Sequence, residues 1–130
     1  NLKNLKFLSQ CWVLAKENDE AVPVMKAAAD LSDDGELDAQ LGQIFLNMEK
    51  WQQAIAASEA ALSKGGLRNE GTVHLVKGMA FFNVGQYNEA LNELAKAEAF
   101  KSSKGMAQQW SKFVETEKVS AEKLTVSLSR

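Results

Sequence analysis

Two stretches of this 130-residue chain carry the same pattern twice. Leu41 to Leu62 reads LGQIFLNMEKWQQAIAASEAAL, and Lys77 to Glu98 reads KGMAFFNVGQYNEALNELAKAE. Gly42 meets Gly78, Phe45 meets Phe81, Asn47 meets Asn83, Trp51 meets Tyr87, Ala54 meets Ala90 and Ala61 meets Ala97, each pair 36 residues apart. A constant offset shared by small and aromatic positions marks a repeat architecture, in which each unit buries its apolar face by stacking on the next.

The chain as a whole is alanine- and leucine-rich, with a single proline and eight glycines, so the repeating unit is helical and is broken by glycine turns. The pattern of Gly, aromatic three later, aromatic, Ala and a further Ala seven later resembles a tetratricopeptide repeat. That resemblance implies an all-α, right-handed helical-repeat solenoid of three helix pairs with a C-terminal capping helix. It also implies a protein-binding scaffold. The expected single domain covers 1–130, with a degenerate first repeat over 2–34, the second over 35–66, the third over 71–102 and the cap over 104–124.

In the first repeat, Leu5, Leu8, Trp12 and Val13 follow helical spacing, and Ala21, Val22, Met25, Ala28 and Leu31 share the face of a second helix. Ser9 takes the small position, and Asn18 replaces the usual turn aromatic. In the second, Leu37, Leu41, Ile44 and Phe45 face inward from one helix, and Trp51, Ile55 and Leu62 from the other. Gly42, Ala54 and Ala61 are small because the antiparallel helices approach most closely there. Gly65 and Gly66 close that pair, and Gly85 marks the flexible point of the turn NVGQY. Met106, Trp110, Val114 and Ala121 are spaced for the inner face of the cap, with Phe113 flanking. Its apolar face is expected on the second helix of repeat three.

The text DLSDDGELD, from Asp30 to Asp38, opens like a calcium loop, but Leu41 stands where the twelfth, bidentate Glu is needed. Asp33 followed by Glu36 reads instead as a capping box. No catalytic constellation is visible, so no enzyme is expected. His74 is the only histidine and Cys11 the only cysteine, which leaves no metal cluster and no intramolecular disulfide. Both read as structural groups, and no cofactor is implied. A formal net charge of −2 offers no cationic surface for a nucleic acid. No run of eighteen apolar residues is present, so no direct membrane insertion is expected. Beginning at Asn1 without an apolar leader, the sequence reads as a fragment of a longer repeat protein.

The repeat resemblance places groove-facing residues one helical turn either side of each small glycine. In the second repeat these are Glu36, Gln40, Gln43, Leu46 and Asn47; in the third, Thr72, Leu75, Val76, Met79, Phe82 and Asn83; in the first, Lys6, Gln10, Val13 and Leu14. The partner-binding set is Gln40, Gln43, Leu46, Asn47, Leu75, Val76, Met79, Phe82 and Asn83. Its apolar members suit an amphipathic helix or an extended peptide, and Asn47 and Asn83 suit a peptide backbone. Internal packing and a second copy of the chain are the alternative occupants. The carboxylate clamp of some repeat proteins is not matched, since Lys6, Gln10, Gln40, Thr72 and Val76 lack its cationic half.

Four phrases, LSDDGELDAQLG, ALSKGGL, KGMAFFNVGQYNEA and AQQWSKFVETEK, extend the resemblance to the C-terminal part of periplasmic repeat proteins that accompany TonB, ExbB and ExbD systems. The narrower resemblance implies a periplasmic adaptor in TonB-dependent energy transduction and iron uptake. A cytoplasmic adaptor for an unrelated partner and a dimerisation module remain alternatives.

Overall fold

A computed structural model describes residues 18–128, and the expected first helix, with Cys11, Trp12 and the groove positions Lys6, Gln10, Val13 and Leu14, lies outside them. Six helices follow in order: α1 (Asn18–Asp30), α2 (Glu36–Asn47), α3 (Trp51–Lys64), α4 (Glu70–Asn83), α5 (Tyr87–Ala97) and α6 (Lys104–Leu128). No strand occurs among the described residues.

The internal repeat is reproduced atom for atom in its turns. Lys50 N–H donates to the Phe45 carbonyl at 2.9 Å, and Gln86 N–H to the Phe81 carbonyl at 2.9 Å. Glu49 and Gly85, again 36 residues apart, both hold a positive φ, of 60° and 83°. Gly65 and Gly66 also take positive φ, which suits residues without a Cβ and ends α3 after Lys64.

Pairing within each repeat depends on small residues. Ala54, Ala61, Ala90 and Ala97 are fully buried. A Cβ on Gly78 would stand 3.0 Å from Leu94 Cγ, and one on Gly42 would stand 2.9 Å from Ser58 Oγ. Gly35 and Gly71 begin the two repeats, and a Cβ on Gly35 would fall on the Ala61 carbonyl. The start of α2 differs from the capping box read in the sequence. Asp34, not Asp33, accepts from Glu36 N–H at 3.1 Å, and no side chain caps the helix at Gly35. The Glu36 carboxylate instead accepts from the Arg68 N–H at 2.6 Å, tying the inter-repeat loop to α2.

The core runs through the stack without a break. Met25, Ala28 and Ala29 of α1 meet Leu37, Leu41 and Ile44 of α2. Ala54 and Ile55 of α3 meet Ala80 of α4. Leu75 of α4, Ala90, Leu94 and Ala97 of α5, and Ala107 and Val114 of α6 form the last cluster. First helices α2, α4 and α6 touch one another in sequence, while α3 and α5 stay apart. That asymmetry curves the stack, with the first helices on its inner side.

Candidate functional site

The inner side of the curve divides into two chemically different halves. Between α2 and α4 lies a cleft of about 260 Å³ lined by Glu36, Ala39, Gln40 and Gln43 on one wall and by Thr72, Val73 and Val76 on the other, with Arg68 and Asn69 at its mouth. Amides and hydroxyls form its rim and short aliphatic side chains its floor. Such a lining can hold an extended backbone by hydrogen bonds and accept small apolar side chains.

Between α4 and α6 the surface is aromatic. Phe82 meets Trp110 and Phe113 at ring-centroid distances of 6.1 and 5.2 Å, and Trp110 meets Phe113 at 5.7 Å with the planes perpendicular. These edge-to-face contacts hold the rings against one another, so they form a ridge and not a cage around an empty centre. Met79 is half-buried beside them, whereas Met106 and Phe113 are 53% and 46% exposed.

The sequence-selected residues are distributed unevenly over this surface. Gln40, Gln43 and Val76 line the polar cleft. Met79 and Phe82 belong to the aromatic half, where Phe82 is also packed on Tyr87. Leu75 is buried in the core formed with α5 and α6, and Leu46 is half-buried against the Ala54–Ile55 cluster. Both asparagines already serve their own helices: Asn47 Oδ1 accepts from Gln43 Nε2 at 3.2 Å, and Asn83 Nδ2 donates to the Met79 carbonyl at 2.8 Å. Each keeps only part of its amide for a ligand.

Residues that the sequence reading did not place in the groove complete it. Of the residues expected on the inner face of the cap, Val114 is fully buried but Met106 is exposed, and Ala107 points inward in its place. Ala107 and Val114 follow Val73 and Ala80 by 34 residues, the family's own spacing, so α6 sits in the register of a first helix. That register carries Met106, Gln109, Trp110 and Phe113 onto the concave side. The signal was available in the sequence as the alternative offset of 34.

One charged network lies outside the groove. Glu93, Lys77 and His74 form a buried network between α4 and α5, with Lys77 Nζ 3.3 Å from Glu93 Oε1. Burial pushes the Glu93 carboxyl up, but His74, Lys77 and Lys96 together more than offset it and hold it below the usual carboxylate value. Among the described residues no group of three His, Cys, Asp or Glu is placed to hold a metal ion, and no helix is long and apolar enough to cross a membrane.

No family model and no curated protein matches the sequence. Several solved structures share the fold. A MamA structure (AMB-1) superposes with a TM-score of 0.70 at 29% identity over 78% of this chain, which spans just 55% of the MamA chain. The Arabidopsis OM64 TPR domain gives 0.78 at 18% identity, covering 89% of this chain and 95% of that one. PcrH, solved in complex with the chaperone-binding region of PopD, gives 0.79 at 18% identity, with 90% and 92% covered. The helix pairs, the 36-residue recurrence of their glycines and alanines, and these superpositions agree: the chain has the fold of a tetratricopeptide-repeat domain.

Proposed function

We propose that this chain is a protein-interaction scaffold that holds a partner segment on the concave side of its helix stack. The observation that carries the reading is the continuous apolar surface across α4 and α6, where Met106 and Phe113 stay exposed beside Met79, Phe82 and Trp110. Exposed apolar patches of this kind mark contact surfaces, and methionine adapts to differently shaped partners. The PcrH structure, with its bound region of PopD, supports the same use of the fold.

The narrower reading is a periplasmic adaptor of a TonB, ExbB and ExbD system. It rests on the phrases LSDDGELDAQLG, ALSKGGL, KGMAFFNVGQYNEA and AQQWSKFVETEK. A photo-crosslinking amino acid at Gln43 or Gln109 tests both levels in intact cells. Crosslinks from both positions to one partner polypeptide support the scaffold, and TonB, ExbB or ExbD peptides among the products support the adaptor. Crosslinks only to cytoplasmic proteins would overturn the adaptor. Crosslinks only to a second copy would replace partner binding with dimerisation.

A further inference from the structure

The stripe on α6 that faces the groove has a composition that specifies more than an apolar contact. Met106, Trp110, Phe113, Glu117 and Leu124 fall on one line of the helix, with 106 and 113, and 110, 117 and 124, each separated by seven residues. Seven-residue spacing along a straight helix is the seam that a second helix packs against. From Met106 to Leu124 the stripe is about 27 Å long at 1.5 Å per residue. An extended peptide would present side chains with a period of two and would not match it.

One position on the stripe is charged. Glu117 lies between Phe113 and Leu124, half-buried, and has no ion-pair partner among the described residues. The lysines of α6 lie off this line: Lys118 faces the start of α5, and Lys112 and Lys123 share another surface with Glu115 and Val119. A partner covering the stripe must therefore bring its own cation to Glu117 or leave a carboxylate desolvated without a counter-charge.

The same carboxylate argues against a second copy. Pairing two α6 helices antiparallel so that Trp110 meets Leu124 places residue 117 at the midpoint, and an in-register parallel pair also sets 117 against 117. Either symmetric arrangement puts Glu117 on its own copy, and like charges across a contact are unfavourable. A heterologous partner escapes that conflict.

We infer that the α6 stripe docks an amphipathic helix of another protein, with heptad-spaced apolar residues flanking a Lys or Arg opposite Glu117. The assignment rests on the scaffold reading above and adds the partner's conformation and charge. Its test uses the whole chain and fluorescein-labelled synthetic 21-residue helical peptides with Leu at the heptad a and d positions. The central a position is Arg, Gln or Glu, and binding is read by anisotropy.

The Arg peptide should bind tightest, about threefold better than the Gln peptide and with the Glu peptide weakest, as suits a partly exposed ion pair. Glu117→Lys should reverse that order, and Phe113→Ser should weaken all three peptides. An order unchanged by Glu117→Lys overturns the inference. So does binding that survives Phe113→Ser but is lost on blocking the α2–α4 cleft with Gln40→Trp, an outcome that leaves the scaffold reading standing. Sedimentation showing a dimer that Phe113→Ser dissolves would assign the stripe to a second copy and overturn the inference too. Absence of peptide binding together with absence of any partner crosslink overturns both readings. Circular dichroism of each variant separates lost binding from lost folding.

Discussion

His74 Nδ1 stands 2.7 Å from Glu93 Oε2 across the buried seam between the two helices of the third repeat. The ring also stacks on Phe100 at a centroid distance of 6.2 Å, and its Nε2 lies 3.5 Å from Glu70. In the preceding repeat the equivalent positions are Asp38 and Lys64, whose side chains meet at 2.8 Å. One geometric slot is thus filled by an ion pair in one repeat and by an imidazole–phenyl stack in the next. The third repeat gains a polar anchor on α5 that the second lacks.

That anchor sets an acid limit on stability. A carboxyl held below its ordinary value contributes stability that is complete above the unfolded-state pKa and is lost as pH falls through the folded one. The window opens at roughly pH 4.3, the ordinary glutamate value, and extends downward. Urea midpoints measured between neutral pH and pH 3 should fall more steeply for the parent than for Glu93→Gln. At neutral pH the substitution should lower stability by about 2 kcal/mol, as expected for loss of buried hydrogen bonds to a charged group.

Glu49 holds a left-handed conformation that Gly85 adopts without strain at the same point of the next repeat. Its side chain is exposed, so nothing in the packing rewards the Cβ. Glu49→Gly should raise stability by about 1 kcal/mol, less the entropy that glycine adds to the unfolded chain. A lowered thermal midpoint would show that the turn depends on the glutamate for another reason.

The repeat core was legible because its rule is steric. Gly78 is small where Leu94 and the Ala90 carbonyl crowd the helix, and the same closeness recurs at Gly42. Gly78→Leu should cost about 1–3 kcal/mol in chemical denaturation by forcing α4 from α5. Gly78→Ala should cost less, since the nearest atoms belong to the movable Leu94 side chain.

Ser58 occupies the place of Leu94 in the second repeat, and its hydroxyl is buried without a hydrogen-bond partner among the described residues. Removing an unsatisfied buried hydroxyl recovers its desolvation penalty, so Ser58→Ala should stabilise by about 1 kcal/mol. Ser58→Leu tests whether α2 can yield. Gly42 already lies close to Ser58 Oγ, and overpacking should make that variant less stable than Ser58→Ala.

The capping helix was harder to read because its apolar residues cover two adjacent faces. Met106, Ala107, Trp110, Phe113 and Val114 leave the inward direction undetermined by periodicity alone. What decides it is α5, whose Ala90, Leu94 and Ala97 accept Ala107 and Val114 at close range. The larger Met106 and Phe113 are displaced to the concave side. The bonds of Asn47 and Asn83 to their own helices were not legible, because they depend on rotamers.

Phe82 separates the structural role of the aromatic ridge from its binding role. Its ring contacts Tyr87, Trp110 and Phe113 and so joins α4, α5 and α6. Phe82→Ala should therefore cost roughly 2 kcal/mol, below the usual range for a fully buried phenylalanine. Its effect should concentrate on α6, seen as faster amide exchange through residues 104–118. Phe113 is nearly half exposed, and Phe113→Ser should leave that exchange close to the parent's while removing ridge surface. If both substitutions accelerate exchange in α6 equally, Phe113 is a packing residue and its exposed face carries no binding role. If only Phe82→Ala does so, the exposed half of the ridge is free of structural duty, and losses of partner binding in Phe113→Ser report the contact itself.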